Sequence, residues 1–417
     1  MRKNQILKIQ GTNYKEMTKH LLEQADLESM LPARDKCIGI KPNLVSPSPA
    51  DYGATTHPEI VAGIIEYLQE RGYDNIMVTE GSWVGDKTWE SVEVCGYDVL
   101  FEKYGVQFRD AQKEKGGEVD CGGLMLNLCE CVQEIDFLIN VPVLKGHCQT
   151  KITCALKNLK GLIPNREKRR FHAMGLHKPI AHLNKGIHQD FIVVDHICGD
   201  LDFEDGGNPV VRNCIMAACD PVLVDAYACE LLHYKVDEVP YVRIAEELGV
   251  GCADLAQAEI CEWVPEMVAE LSVEALKSGI AAKLIKCNPE LSAQEGKNRS
   301  DRVRNGKWVK VNPADDALPL SRKVVELRDA VEEVESCSAC YGYLIPALER
   351  LKEEGLLEKL DVKICIGQGY QGQTGKIGIG RCTAGFEHNL KGCPPTDNQI
   401  YEFLKAYLSG RDQEPGQ

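Results

Sequence analysis

The sequence predicts an α/β protein: a parallel-sheet N-terminal domain followed by a smaller C-terminal α/β module. Apolar strand-like runs alternate with amphipathic helical runs between residues 37 and 232, the pattern of βαβ units, whose crossovers make neighbouring strands parallel. A second, shorter alternation fills residues 331–410. The chain has 417 residues and 44% hydrophobic content, enough to bury more than one core. We divide it into a ligand-binding domain at 1–255, a helical or irregular connection at 256–325, and a cysteine-bearing module at 326–417.

CIGIKPNLV (37–45) reads as an apolar strand running into a Pro-Asn loop, THPEIVAGIIEYLQERG (56–72) as a helix capped by Thr56, and NIMVTEG (75–81) as the next strand. EIDFLINVPVLKGH (134–147) adds a buried strand with a loop at its end, and DFIVVDHICGD (190–200) and IMAACDPVLVDAYACELL (215–232) continue the alternation. Parallel sheets place ligand sites at the carboxyl ends of their strands. Asn43, Glu80, Lys145, His147, Asp195 and Asp220 fall there. From Cys261 to Leu320 the pattern loosens into a helical run, WVPEMVAELSVEALKSG, and a polar stretch. In the C-terminal module, VEEVE (331–335) and LDVKICIG (360–367) read as strands, while YLIPALERLKEEG (343–355) and NQIYEFLKAYLSG (398–410) read as helices.

Four cysteines carry the clearest chemistry: Cys337 and Cys340 in VESCSACYG, Cys382 in GIGRCTAG and Cys393 in KGCPPT. A Cys-x-x-Cys loop followed by single cysteines on later loops suits the cage of a 4Fe-4S cluster. Each cysteine has glycine or another small residue beside it, so backbone N–H groups can approach the sulfurs. The same four thiols would also suit zinc, and Cys337 and Cys340 alone a redox dithiol. Cys365 is a possible fifth participant, though KICIG reads as a buried strand. Cys129 and Cys131 in NLCECVQEI read as two small residues on one face of a strand. The loop GQGYQGQTGKIGIG (367–380) lacks the spacing of a phosphate-binding P-loop. It suits backbone approach to a cluster, with docking of a flavin phosphate as the alternative.

Nineteen cysteines without a secretion signal point to a reducing, anaerobic cytoplasm rather than a disulfide framework. The net charge of −15 speaks against sequence-independent nucleic-acid binding, and no stretch approaches the length of a membrane span. There is no G-x-G-x-x-G after the first strand, so no dinucleotide site of that kind is expected.

ESCSACYGYLIPAL, GIGRCTAG and KGCPPT, in that order, resemble the cluster-binding motifs of the small subunit of nickel-iron hydrogenases and of the related quinone-reductase subunit. The likeness covers about the last eighty residues. It implies a parallel α/β module holding a 4Fe-4S cluster on loops at its strand ends.

Against the acidic background, residues 140–188 are basic and hold five histidines: His147, His172, His177, His182 and His188. Lysines at strand ends neutralise carboxylate or phosphate, and imidazole serves as base or metal ligand, so the segment fits an anionic small-molecule site. A solvated basic helix over REKRR with unconnected surface histidines is the plain alternative. KPNLVSP, THPEIVAGIIEYLQERG, NIMVTEG, the LKGH to ALKNLKG block and AACDPVLVDAYACELL resemble the domain of unknown function family three-six-two, over about residues 36–250. More remotely, the 136–164 stretch is similar in layout to the core of nickel-pincer lactate racemases. That likeness assigns acid/base work to His147, cofactor binding to Lys157 and metal ligation to His172, but KITCA stands in place of the racemases' Gly-rich turn.

Two function classes follow. One is an iron-sulfur oxidoreductase whose cluster passes electrons to an anionic substrate bound among Asn43, Lys145 and Lys151, with His147, Lys157 and His172 as the reacting residues. The other is an electron-transfer or maturation protein that docks a ferredoxin-like or other redox partner. A non-redox racemase or lyase with a structural metal is a third reading.

Overall fold

The structure is a computed structural model and describes residues 1–147, 149–201, 209–265, 306–318, 327–334, 336 and 338–410. Contacts divide the chain into two compact units. The larger holds Met1–Gly146, Ile152–Leu201 and Asp205–Leu318, and the smaller holds Pro319–Gln417 with the hairpin tip His147–Lys151 and the short segment 202–204.

The larger unit begins with β1 (Gln5–Gln10), α1 (Tyr14–Gln24), β2 (Ile38–Pro42), α2 (Pro58–Gln69), β3 (Ile76–Glu80), α3 (Thr88–Val94), α4 (Tyr97–Tyr104) and β4 (Gln107–Asp110). A small ribbon of β5 (Gly117–Asp120) and β6 (Met125–Leu128) precedes α5 (Cys131–Glu134) and β7 (Phe137–Val141). A hairpin of β8 (Lys145–His147) and β9 (Lys151–Thr153) leads to α6 (Ala155–Asn158), α7 (Asn165–Met174) and α8 (His177–Gly186). β10 (Phe191–Asp200), β11 (Pro209–Ala218), α9 (Pro221–Leu231), α10 (Pro240–Glu247), β12 (Glu259–Pro265) and β13 (Gly306–Lys310) complete it.

Among the described residues, nine strands form one sheet in the order β13-β12-β1-β11-β10-β7-β2-β3-β4. The pairs β12–β1, β10–β7, β7–β2, β2–β3 and β3–β4 are parallel, and β11 runs antiparallel to both neighbours. Too few residues separate Asp200 from Pro209 for a crossover helix, so β10 and β11 can only pair as a hairpin. The sheet is therefore mixed, with a parallel block from β10 to β4. Two strands, β12 and β13, come from the stretch expected to be a connection; they pair antiparallel with Trp263 opposite Trp308. The helical run expected after Trp263 begins in β12, and beyond Pro265 it lies outside the described residues up to 305.

Alternation along each strand builds two cores. Ile192 and Val194 of β10 join Leu156, Phe171, Ile180 and Tyr241 on one face, while Phe191, Val193 and Ile197 join Leu21, Ile60, Ile64 and Tyr97 on the other. Helix α2 approaches α1 closely because position 63 is glycine; a Cβ there would stand 2.7 Å from Lys15 O. The cap of α2 differs from expectation. His57 occupies the N-cap position, and the Thr56 hydroxyl instead donates to Val141 O and accepts from Asn43 N, because Pro58 already fixes the first turn. Cys129 follows β6 and Cys131 opens α5, so the two do not share a strand; both are fully buried. No helix among the described residues is long and apolar enough to cross a membrane.

Among its described residues, the smaller unit has a four-stranded, wholly parallel sheet in sequential order: β14 (Val331–Glu333), β15 (Ile364–Ile366), β16 (Ile377–Ile379) and β17 (His388–Leu390). Its core joins these strands to α11 (Ser338–Glu353) and α12 (Asp397–Leu408) through Leu344, Leu348, Ile364, Ile377, Ile400 and Leu404. Helix α11 begins five residues before the expected run and carries Pro346 inside it. Thr396 and Gln399 form a reciprocal capping box on α12.

Candidate functional site

In the smaller unit, parallel pairing decides where the cysteines go. The segments that follow β14, β15, β16 and β17 all leave from the carboxyl ends of the strands; Cys340 lies in the first turn of α11 after β14, the glycine-rich loop follows β15, and Cys382 and Cys393 lie on the loops after β16 and β17. Three of these segments touch. A Cβ placed at Gly380, where φ is +92° and only glycine sits without strain, would stand 3.7 Å from both Cys340 Sγ and Gly392 O. Arg381 N donates to Gly392 O at 2.9 Å and Gly380 N to Leu390 O at 2.9 Å, tying the Cys382 loop to the Cys393 loop. From the glycine-rich loop, Gln371 Nε2 lies 3.8 Å from Cys382 Sγ. Cys340 and Cys382 are half-buried and Cys393 is exposed. Cys337 lies outside the described residues. Among those described, no three His, Cys, Asp or Glu side chains are gathered as a metal site. Cys365 sits in the middle of β15, paired with Gly378, and its thiol meets the Tyr370 hydroxyl of the glycine-rich loop. The donor set fits a cluster in kind: a thiol in the first turn of α11 and thiols on the loops after β16 and β17, with glycine backbone and one amide donor beside them.

In the larger unit, the carboxyl ends of β2 and β3 bring buried charges together. Lys41 Nζ pairs with Glu80 and donates to Pro42 O at 2.8 Å; both side chains are sealed from solvent. Burial pulls the Lys41 ammonium below its usual range, with Glu80 opposing. Lys168 reaches in from α7 and donates to Gly81 O at 2.7 Å and Ser82 O at 2.8 Å. Burial lowers it to about 8, again against Glu80. Behind these, side-chain amides form a chain: Asn158 donates to Asn140 at 2.7 Å, Asn140 to Gln189 at 2.6 Å, and Gln189 to Asn184 at 2.5 Å. Asp225 of α9 receives the Leu156 N–H at 3.3 Å at the start of α6, and burial pushes its carboxyl up to about 7. Two buried lysines and one buried carboxylate thus meet at these strand ends.

The residues expected from sequence fall as follows. Lys145 is fully buried and donates to Ala54 O at 2.6 Å, and Lys157, 3% exposed, donates to Thr153 Oγ1 at 3.1 Å. Asn43 works through its backbone, exchanging hydrogen bonds with Thr56, while its Oδ1 accepts from Val45 N at 3.3 Å. His172 is half-buried in the last turn of α7. These four belong to the larger unit; His147 and Lys151 belong to the hairpin tip grouped with the smaller one. His147 Nδ1 accepts from Gln149 N and Thr150 N, each at 3.0 Å, so a neutral ring carries its proton on Nε2. Lys151 has φ +67°, a strained backbone for a side-chain-bearing residue.

Sequence reading passed over Lys41, Lys168, His57 and Asp225. Lys41 had a visible signal, a lysine inside the apolar run IGIKP, where a charge must find a partner. Lys168 sits in REKRR, the stretch weighed as a solvated helix; α7 turns Glu167 and Lys168 inward and leaves Arg166, Arg169 and Arg170 exposed.

Residues 38–230 match the family described as Domain of unknown function (DUF362). The match ends before the cysteine-bearing unit. A thylakoid-associated protein of Synechocystis sp. is 23% identical over 219 residues, covering 51% of this chain and 68% of that protein. Among solved structures, the lactate racemase apoprotein of Thermoanaerobacterium thermosaccharolyticum is similar with a TM-score of 0.37 at 14% identity, covering 56% of this chain and 57% of that one. A crystal structure of a Thermotoga maritima protein is similar with a TM-score of 0.32 at 12% identity, covering 60% and 61%. The chain thus spans less than two thirds of either solved chain.

Proposed function

We propose that this protein is an iron-sulfur oxidoreductase. In this reading, Cys337, Cys340, Cys382 and Cys393 hold a 4Fe-4S cluster in the smaller unit, and an anionic small molecule binds at the strand ends of the larger one. The observation that carries the reading is the convergence of the Cys340, Cys382 and Cys393 segments at the carboxyl ends of a parallel sheet, where a Cβ at Gly380 would stand 3.7 Å from both Cys340 Sγ and Gly392 O. When bound, the cluster would supply one-electron transfer. Lys145 and Lys157, with Lys41 and Lys168 beside Glu80, would neutralise the substrate's charge, with Asn43 as a further contact and His172 moving a proton. A flavin or a second metal would be additional to this arrangement, not part of it.

The test is anaerobic purification with iron, sulfide, zinc and nickel analysis and absorption spectra before and after dithionite. About four iron and four sulfide per chain, with a bleachable visible band, is the expected result. Stoichiometric zinc without sulfide would remove the redox reading. A cluster that exchanges electrons with ferredoxin while no small anion is oxidised or reduced would leave the protein an electron carrier.

A further inference from the structure

On the face of the large sheet opposite the amide chain, a second group of acid–base side chains gathers around the middle of β10. Asp195, fully buried, is its centre. One carboxylate oxygen, Oδ2, accepts the backbone N–H of His57 at 2.7 Å and pairs with His57 Nδ1 at 2.8 Å, while Oδ1 accepts Ile197 N at 3.0 Å. With Nδ1 committed to a carboxylate, the ring is held in one orientation and Nε2 is the nitrogen left to act. That atom is sealed from solvent and makes no hydrogen bond. The nearest polar group opposite it is Asp51 Oδ1 at 3.4 Å, on the short turn Ala50–Tyr52, whose Asp51 side chain is 93% exposed.

The surroundings are those of a reactive site rather than a plain helix cap. The Tyr14 ring stands edge-on to His57 at 5.6 Å, and its hydroxyl donates to Asn213 Oδ1 at 2.8 Å. Cys198 Sγ donates to Asp51 O at 3.3 Å. The β10–β11 register shifts between His196 and Cys198, and Asn213 on β11 adopts φ +52°. Bulges and left-handed non-glycine residues cost free energy, and they concentrate where side chains must be aimed. Capping α2 needs only Oδ2 and a backbone N–H. An imidazole whose buried Nε2 has no hydrogen bond and only the 3.4 Å ion pair to Asp51 adds a desolvation cost that capping does not require.

We propose that His57 is a proton donor and acceptor, positioned by Asp195, for a small ligand whose hydroxyl or ammonium group replaces Asp51 at Nε2. Asp195, Asp51 and Glu59 surround the ring with negative charge, and Tyr14 and Cys198 add two protic groups. A neutral hydroxyl or a cation is therefore favoured there over an anion. The inference rests on the larger unit alone and stands whether or not the smaller unit holds a cluster.

The test uses the full chain and p-nitrophenyl acetate as a general ester probe. Neutral Nε2 takes a proton from an attacking water, and acetate and p-nitrophenol are the products. His57→Asn keeps an amide N–H able to reach Asp195 while removing Nε2. It should lower the rate at least about tenfold and abolish the rise in rate with pH. That rise should be centred near the His57 value of about 9; burial alone would lower this value, and Asp195, Glu59 and Asp51 together raise it. Asp195→Asn and Asp51→Ala should each move the midpoint downward, and Cys198→Ser should leave it in place. Asp51 is exposed, so Asp51→Ala decides the matter if His57→Asn fails to fold. An unchanged rate and pH profile in His57→Asn, or a midpoint unmoved in Asp51→Ala, overturns the proposal.

Discussion

Gly161 and Glu80 leave no space between them: a Cβ at residue 161 would stand 1.8 Å from Glu80 Oε1 and 2.6 Å from Lys41 Cε. The glycine of the ALKNLKG block is thus a spacer for the buried Lys41–Glu80 pair. Gly161→Ala should force the pair apart and cost about 1–3 kcal/mol of stability, measured by urea denaturation. A full-stability Gly161→Ala protein would show that the pair has room to shift.

Glu80→Gln leaves the Lys41 ammonium buried without its carboxylate, so it should cost about 3–5 kcal/mol. The double variant Lys41→Met with Glu80→Gln should recover much of that loss, because the uncompensated charge is gone. A double-mutant cycle by urea denaturation reads this directly. Equal losses in the single and double variants would count against charge burial as the cause.

These buried charges show which parts of the fold were legible in the sequence. β2, α2, β3, β7, β10 and α9 lie close to their expected positions because each is a long apolar run or a strong 3.6-residue repeat. The antiparallel return of β11 and the recruitment of β12 and β13 into the sheet depend on pairings between distant segments, which periodicity does not encode. The same holds for the site. Cys340, Cys382 and Cys393 stand out because four such thiols are rare, whereas Lys168 looked like one more basic residue until α7 set its inward face. His57 hid inside a helix-start pattern; its partner Asp195 is 138 residues away.

His196 gives the stability a pH dependence on the acid side. Burial holds its imidazole neutral, lowering it from 6.5 to about 3, and Arg212 and Lys8 add to the effect. The unfolded chain then binds a proton that the folded chain refuses. This contribution is complete above about 6.5 and is lost as pH falls from there toward about 3. His196→Leu should flatten the decline in urea stability over that range relative to the natural protein. A decline of the same slope in both proteins would assign acid sensitivity elsewhere.

His57 acts on the alkaline side with the opposite sign. Its folded value of about 9 lies above the ordinary 6.5. The stabilisation is therefore fully present below about 6.5 and is lost as pH rises through about 9. Asp195→Asn should remove most of that slope at a cost in stability near neutrality, since Asp195 supplies the main attraction. Thermal melting across the range, in the natural protein and in Asp195→Asn, separates this from general alkaline unfolding.

The cysteines make the sharpest contrast within one unit. Cys340 in the first turn of α11 and Cys382 and Cys393 on later loops all follow carboxyl ends of strands, while Cys365 lies mid-strand in β15 opposite Glu332 and Gly378. If the strand-end loops hold the cluster, Cys340→Ala, Cys382→Ala and Cys393→Ala should each lower bound iron and sulfide well below about four per chain after anaerobic reconstitution. Cys365→Ala should keep the full complement, since its thiol hangs from the face of a strand rather than from a ligand loop. Gln371→Leu should also keep the iron but shift the midpoint potential downward, because the amide near Cys382 Sγ would otherwise stabilise the more negative reduced state. Iron lost in Cys365→Ala but kept in Cys393→Ala would move the site away from the strand-end edge and onto the sheet face.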